Sequence, residues 1–163
     1  MESSLIDCLK STMNDVCTRM MQASVENLNG GYQRQPEPGD LSSVITIMRG
    51  NILIGFIALH MSPATGAVLS NRLLSSEGER SEREIASTVN EMLNIVAGRC
   101  YSMLREQYPG IICSLPAITP GGTGPLADTV SRVEINTMAF KLDNNEFSLE
   151  VGLGRESVEP ASA

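Results

Sequence analysis

Histidine occurs once in the 163 residues, at His60, and the four cysteines, Cys8, Cys17, Cys100 and Cys113, form no C-x-x-C pair. A His/Cys zinc site would need an unusual assembly from so sparse a set. Free thiols in a reducing compartment are the simpler reading. Long apolar runs are also missing: the longest, Ile52 to Leu59, is far short of the ~20 residues of a membrane helix. The opening MESSLIDCLK has no basic segment leading into an apolar core, which argues against a secretory signal and for a cytoplasmic protein. Basic residues are scarce, 12 against 19 acidic, giving a net charge of −7 and a pI near 4.7. Such a chain repels phosphate backbones and anionic lipid, so neither nucleic acid nor a membrane surface is an expected partner.

Hydrophobic residues make up 42% and charged residues 19%, with 14 Gly and 8 Pro, which excludes disordered, collagen-like and coiled-coil classes. A domain of this length buries roughly 70% of the surface of its unfolded chain and needs no staples. The expectation is a single domain over residues 1–155, with a frayed tail over 156–163.

Apolar residues at Leu5, Leu9, Met13, Val16, Met20 and Ala23 recur at helical steps and predict an amphipathic helix from Ser3 to about Ser24. Leu28 to Asp40 is rich in Gly, Pro and polar residues and reads as a loop. Val44 to Arg49 and Ile52 to His60 flank Gly50-Asn51, a hairpin signal, because Gly accepts the positive φ of a tight turn. Their near-continuous hydrophobicity predicts a sheet covered on both faces. Ser62-Pro63 opens a second helix ending near Leu74. Ser81-Glu82-Arg83-Glu84 has the form of a capping box and starts a long third helix over 81–107. Ile111 to Leu115 reads as a strand and Pro116 to Asp128 as a loop. A second hairpin joins Val130–Leu142 to Glu146–Leu153. The fold class is therefore α+β, with a mostly antiparallel sheet of two hairpins plus short strands, and a long helix and two further helices packed on it.

On the third helix, Ile85, Val89, Leu93, Val96, Cys100 and Met103 form a core-facing stripe. Another line, at steps of four, three and four, carries Ser87, Glu91, Asn94 and Gly98. A hydroxyl, a carboxylate, a carboxamide and a bare backbone suit close approach by another molecule. The carboxylate can pair with a cation on a partner, and the amide can hold a water in line with an electrophile. Positioning of water is the main task in phosphoryl transfer, where little covalent chemistry is left to the protein. A Glu and an Asn three apart are equally at home on an ordinary solvated face, and spacing alone does not establish a site.

The order of motifs adds to the spacing. Ser87-x3-Glu91-x2-Asn94, followed by Ile95-Val96-Ala97-Gly98 and, after a short strand, by Pro116, resembles the CheC/CheX/FliY family of bacterial chemotaxis phosphatases. The likeness spans nearly the whole chain. A single motif copy makes it CheX-like, because the leading helix offers Ser11, Asp15 and Thr18 at the equivalent spacing without the Glu and Asn. The resemblance implies hydrolysis of the aspartyl-phosphate of a CheY-like receiver, with Glu91 contacting a receiver lysine and Asn94 orienting the water. The small, polar line makes Ser87 and Gly98 expected partner contacts, and Met92, next to Glu91, an expected soft contact at the docking surface; the resemblance gives a supporting place to Pro116, which stands one residue earlier than in relatives. It implies no metal or cofactor of the chain's own, Mg²⁺ being held by the receiver, and a homodimer, for which long apolar strands such as Ile52 to Leu59 would invite edge pairing.

Two other classes compete. The same fold could bind a receiver or flagellar-switch component without turning it over, and the Glu91/Asn94 pair argues against that, since a pure binder needs no water-orienting amide. An unrelated small-molecule enzyme is disfavoured because no second acid, metal cluster or activated nucleophile is visible. His60 has no nearby Ser, Cys or second His to make a catalytic pair and reads as structural or merely exposed, although free imidazole is the side chain that changes charge near neutral pH. Gly121-Gly122-Thr123-Gly124 lacks the G-K-[ST] ending of a phosphate cradle and reads as a mobile loop. Met13, Met20, Met21, Met92 and Met103 read mainly as core fillers, and Cys100 and Cys113 as buried thiols of no redox consequence.

Overall fold

The computed structural model describes residues 3–28 and 37–154. The anticipated tail from residue 156 and the middle of the Leu28–Asp40 loop lie outside the described residues. Helix α1 (Ser3–Met20) buries Leu5, Leu9, Met13 and Val16 at the predicted spacing. It stops short of Ser24, with Gln22 at φ +51°, so that Met21 is buried and Met20 is left exposed. After the two-residue strand β1 (Glu26–Asn27), strands β2 (Leu41–Arg49) and β3 (Ile52–Met61) form the expected hairpin, with Gly50 at φ +57° in the turn.

Helix α2 (Pro63–Leu73) is capped by Ser62, whose Oγ accepts from the Thr65 N–H at 3.1 Å. Helix α3 (Glu82–Gln107) carries the capping box: the Glu84 N–H donates to Ser81 Oγ at 3.3 Å, and the Ser81 N–H to Glu84 Oε2 at 2.9 Å. The bonds from Ser81 hold the Glu84 carboxyl below its ordinary pKa. Strand β4 (Ile111–Cys113) follows, and then the stretch expected to be a loop contains strand β5 (Ala117–Ile118) and helix α4 (Gly124–Thr129). Two residues and six are too short to show a period in sequence. Gly122 and Thr123, expected in a mobile loop, are buried. The chain closes with β6 (Val133–Leu142) and β7 (Asn145–Gly154), turned at Asp143-Asn144 with Asp143 at φ +54°.

The seven strands form one sheet in the order β1-β6-β7-β3-β2-β4, with β5 also against β2, and every pairing is antiparallel. Ile45, Ile47, Ile57, Leu59, Phe140, Phe147, Leu149 and Val151 face the helices and form the main core with α1 and α3. On the opposite face Val44, Phe56 and Ala58 are covered by Leu126 and Ala127 of α4. Both faces are thus covered at the centre of the sheet, as the apolar strands predict. That centre is β3, paired with β2 and β7. Gly55 to Leu59 are therefore paired on both sides and offer no open edge to a second copy, whereas Ile52 and Leu53 pair with β2 alone; the outer strands of the sheet are β1 beside β6 on one side and β4 and β5 on the other. No helix among the described residues is long and apolar enough to cross a membrane.

A buried polar cluster sits on the α4 side. The register pairs His60 with Ser42, and His60 Nδ1 lies 2.8 Å from Ser42 Oγ. Its Nε2 lies 4.0 Å from Glu150 Oε2, and Thr123 Oγ1 donates to Glu150 Oε1 at 2.5 Å. His60 is thus buried and does have a serine beside it, supplied by the neighbouring strand. With Ser42, His60, Thr123 and Glu150 all buried, the cluster is closed to substrates and ties the start of α4 to the sheet.

Two outcomes are expected. A Cβ at Gly152 would come within 2.5 Å of the Phe56 ring lying across from it, so Gly152→Ala should cost about 1–3 kcal/mol, read as a lower urea midpoint with the slope unchanged. Burial raises the Glu150 pKa, an effect the Thr123 bond partly opposes. The folded state therefore holds this proton more tightly than the unfolded chain, and the associated stability, complete below the unfolded value of about 4.3, declines as pH rises through the raised one. Glu150→Gln keeps an acceptor for Thr123 and stays uncharged. The stability difference between wild type and variant should therefore change across that window and level off above it, and a difference independent of pH would contradict the assignment.

Candidate functional site

The roll of α3 about its own axis decides what the site presents. Ile85, Val89, Leu93, Val96, Cys100 and Leu104 are buried in the main core, which turns Ser87, Glu91, Asn94 and Gly98 outward, all four exposed. A polar bond pins the same roll: Ser43 Oγ on β2 donates to Asn90 Oδ1 at 2.6 Å. Asn90 immediately precedes Glu91 and was not singled out in the sequence; its signal was a carboxamide standing just off the apolar stripe. Met92 belongs to the core, 1% exposed, and is not on the docking surface. It follows Glu91 by one residue, about 100° around the helix, and that step carries it from the exposed line to the buried one.

Among the described residues neither the Glu91 nor the Asn94 side chain makes a hydrogen bond or ion pair with its own chain. Other polar residues of α3 are engaged: Arg99 reaches Asp15 of α1 at 3.4 Å, and the Arg105 guanidinium lies 5.7 Å from the Tyr101 ring centroid. One turn after Asn94, Gly98 faces open space; a Cβ there would meet nothing within 4 Å. The chain's own packing thus does not require glycine at this position, although glycine is a poor helix former.

Asn94 and Gly98 also line a groove of about 270 Å³ between α3 and the edge of the sheet, together with Tyr101, Cys113, Ser114 and Leu115. Its far wall is the break between β4 and β5. At the break the Ser114 N–H donates to the Thr46 carbonyl at 2.9 Å, and the Thr46 N–H donates to Ser114 Oγ at 3.0 Å. Pro116 has no N–H to continue the ladder. Leu115 is left 81% exposed, an apolar ledge beside the amide. Pro116 itself is half-buried between the two short strands and is not among the groove's lining residues. Ser11, Asp15 and Thr18 lie on α1, where Asp15 is occupied by Arg99.

This arrangement supplies a docking face with one carboxylate and one carboxamide about a helical turn apart, an open approach at Gly98 and an apolar rim. It can bind a partner and hold a water; no covalent nucleophile stands on the exposed line except the Ser87 hydroxyl, which no base among the described residues hydrogen-bonds.

Comparison with known proteins places the family and the fold. The sequence matches the family of the chemotaxis phosphatase CheX over residues 42–137. No curated protein matches it. Among solved structures, the fold is similar to that of the chemotaxis protein CheX from Desulfovibrio desulfuricans, with a TM-score of 0.69 at 17% identity over 92% of this chain and 99% of that one. A CheC-like superfamily protein from Shewanella sp. PV-4 gives a TM-score of 0.72 at 16% identity, covering 93% and 98%. A chain of the CheX–CheY–BeF3–Mg²⁺ complex from Borrelia burgdorferi gives 0.70 at 19% identity, also covering 93% and 98%. With a family match across more than half its length and the helix bearing Glu91 and Asn94 inside the matched span, this chain belongs to the CheX family of chemotaxis phosphatases.

Proposed function

We propose that the chain hydrolyses the aspartyl-phosphate of a CheY-like receiver domain by docking the exposed line of α3 against the receiver's active site. The observation that carries this reading is that the Glu91 and Asn94 side chains stand exposed on one helix line, unengaged by their own chain among the described residues, with Asn94 at the rim of a groove. The family membership and the CheY bound in the Borrelia complex support the choice of partner.

In this reading Glu91 pairs with a lysine of the receiver and sets the register of docking, a contact made in water and sensitive to salt. The Asn94 amide holds a water in line with the phosphorus, opposite the aspartyl oxygen. Attack forms the new P–O bond as the P–O bond to the aspartyl group breaks, and the electron pair leaves with the carboxylate. The released products are inorganic phosphate and the unmodified aspartate. The chain contributes position and an oriented dipole, which suffice for a reaction whose transition state is held mainly by charge and alignment. Mg²⁺ belongs to the receiver in this scheme, where it would neutralise charge on the phosphoryl oxygens. Ser87 and Gly98 keep the line low so that the two surfaces can meet, and Pro116 ends the β4 ladder beside the Leu115 ledge.

The test is phosphate release from a phosphorylated CheY-like receiver, with the chain present at catalytic amounts. Asn94→Ala should lower the rate on the order of 10²-fold while binding of the phosphorylated receiver persists. Glu91→Ala should weaken binding, and its deficit should shrink as salt is added. Gly98→Ala should stabilise the isolated chain by up to ~1 kcal/mol, whereas Gly98→Gln should raise KM with kcat nearly unchanged. Binding of the phosphorylated receiver without any acceleration of its hydrolysis by the wild-type chain would overturn the catalytic reading in favour of a binding module.

A further inference from the structure

The proposed phosphatase chemistry uses none of the four cysteines, and the sequence alone reads Cys100 as a thiol of no redox consequence, yet in the fold two of the four meet. Cys8 of α1 and Cys100 of α3, 92 residues apart in sequence, hold their sulfurs 2.7 Å apart. A disulfide bond is about 2.05 Å long, so little movement separates this pair from bonding. The two are not equivalent: Cys8 is half-buried and Cys100 fully buried. Burial, and secondarily the neighbouring Cys8, push the Cys100 thiol up to about 12. The Thr12 hydroxyl stands 3.8 Å from the Cys100 sulfur. The other cysteines lack this pairing. Cys17 is buried farther along α1, and Cys113 is half-buried in β4; among the described residues neither hydrogen-bonds another thiol.

We propose that Cys8 and Cys100 are a peroxide-responsive thiol pair that closes to a disulfide and staples α1 to the helix bearing Glu91 and Asn94. Cys8, the more accessible sulfur, attacks hydrogen peroxide: the S–O bond forms, the O–O bond breaks, and the departing hydroxide takes a proton to leave as water. Cys100 then attacks the sulfenic sulfur of Cys8. The S–S bond forms, the S–O bond breaks, and a second water leaves carrying the Cys100 proton. In total two thiols and one peroxide give one disulfide and two waters, the sulfurs losing the two electrons that the peroxide gains. A disulfide made in this way is the reversible, sensing kind compatible with a reducing compartment. The staple would join α1 to α3 two residues beyond Gly98 and next to the Arg99–Asp15 ion pair, fixing the packing of α1 on the side of α3 away from the groove.

The experiment treats the whole chain with hydrogen peroxide, blocks remaining thiols with N-ethylmaleimide, and maps peptides without reduction. A Cys8–Cys100 linked peptide lighter by two hydrogens is expected, with Cys17 and Cys113 still alkylated. The melting temperature should rise on the order of 10 °C and return to its starting value with dithiothreitol. Cys8→Ser, at the half-buried position, should fold, lose the linked peptide and lose the peroxide-induced shift. Cys8 that remains alkylable after peroxide, or that proceeds to sulfinic acid without a linked peptide, would overturn the proposal. So would a cross-link that instead joins Cys113 between chains. None of these readouts involves a receiver, so failure here and failure of the phosphatase reading are separable.

Discussion

The burial of one apolar stripe on α3 is the constraint on which the rest depends. Ile85, Val89, Leu93, Val96, Cys100 and Leu104 are held against the helix-facing side of the sheet, and burying side chains of this size contributes about 1.5–3 kcal/mol each. A rotation of the helix that hid Glu91 and Asn94 would expose several of these at once. The site is therefore held rigidly by hydrophobic packing although the side chains of its working groups make no bonds among the described residues. That division suits a surface whose polar groups must stay available to a partner.

Polar bonds at the core's margins add direction to that packing. Ser43 and Asn90 fasten α3 to β2 just before the exposed carboxylate, and Ser114 closes the gap in the ladder where Leu115 emerges. On the other side of the sheet, Ser42, His60, Glu150 and Thr123 fasten α4. Buried polar groups cost free energy unless they are partnered, so such clusters contribute more to choosing one arrangement than to its total stability. The Ser–His–Glu composition of the last cluster would invite a catalytic reading from a list of contacts. Its burial beneath Gly122 and Thr123 explains why it is structural instead.

Much of the architecture was legible locally. The α1 and α3 periods, the Ser62 and Ser81 caps and the Gly50 turn each depend on residues a few positions apart, and the structure reproduces them closely. The outward line on α3 was legible for the same reason. Met92 shows the limit of proximity in sequence: adjacency to Glu91 suggested the docking face, while a single helical step places it in the core. Helix α4 and strand β5 escaped notice because segments of six and two residues complete no repeat and draw their stability from contacts with distant strands.

By itself the sequence determined the α+β class, the long helix and the set of residues that line could present, because those follow from short-range periodicity, capping and turn chemistry. Only the tertiary structure decided that Ser42 meets His60, that Cys8 meets Cys100, that β3 is central between β2 and β7, and that Leu115 stands beside Asn94. Each of these is a meeting of segments far apart in the chain. Strand order and register bring them together, and those are set by the packing of whole faces, which no local pattern encodes.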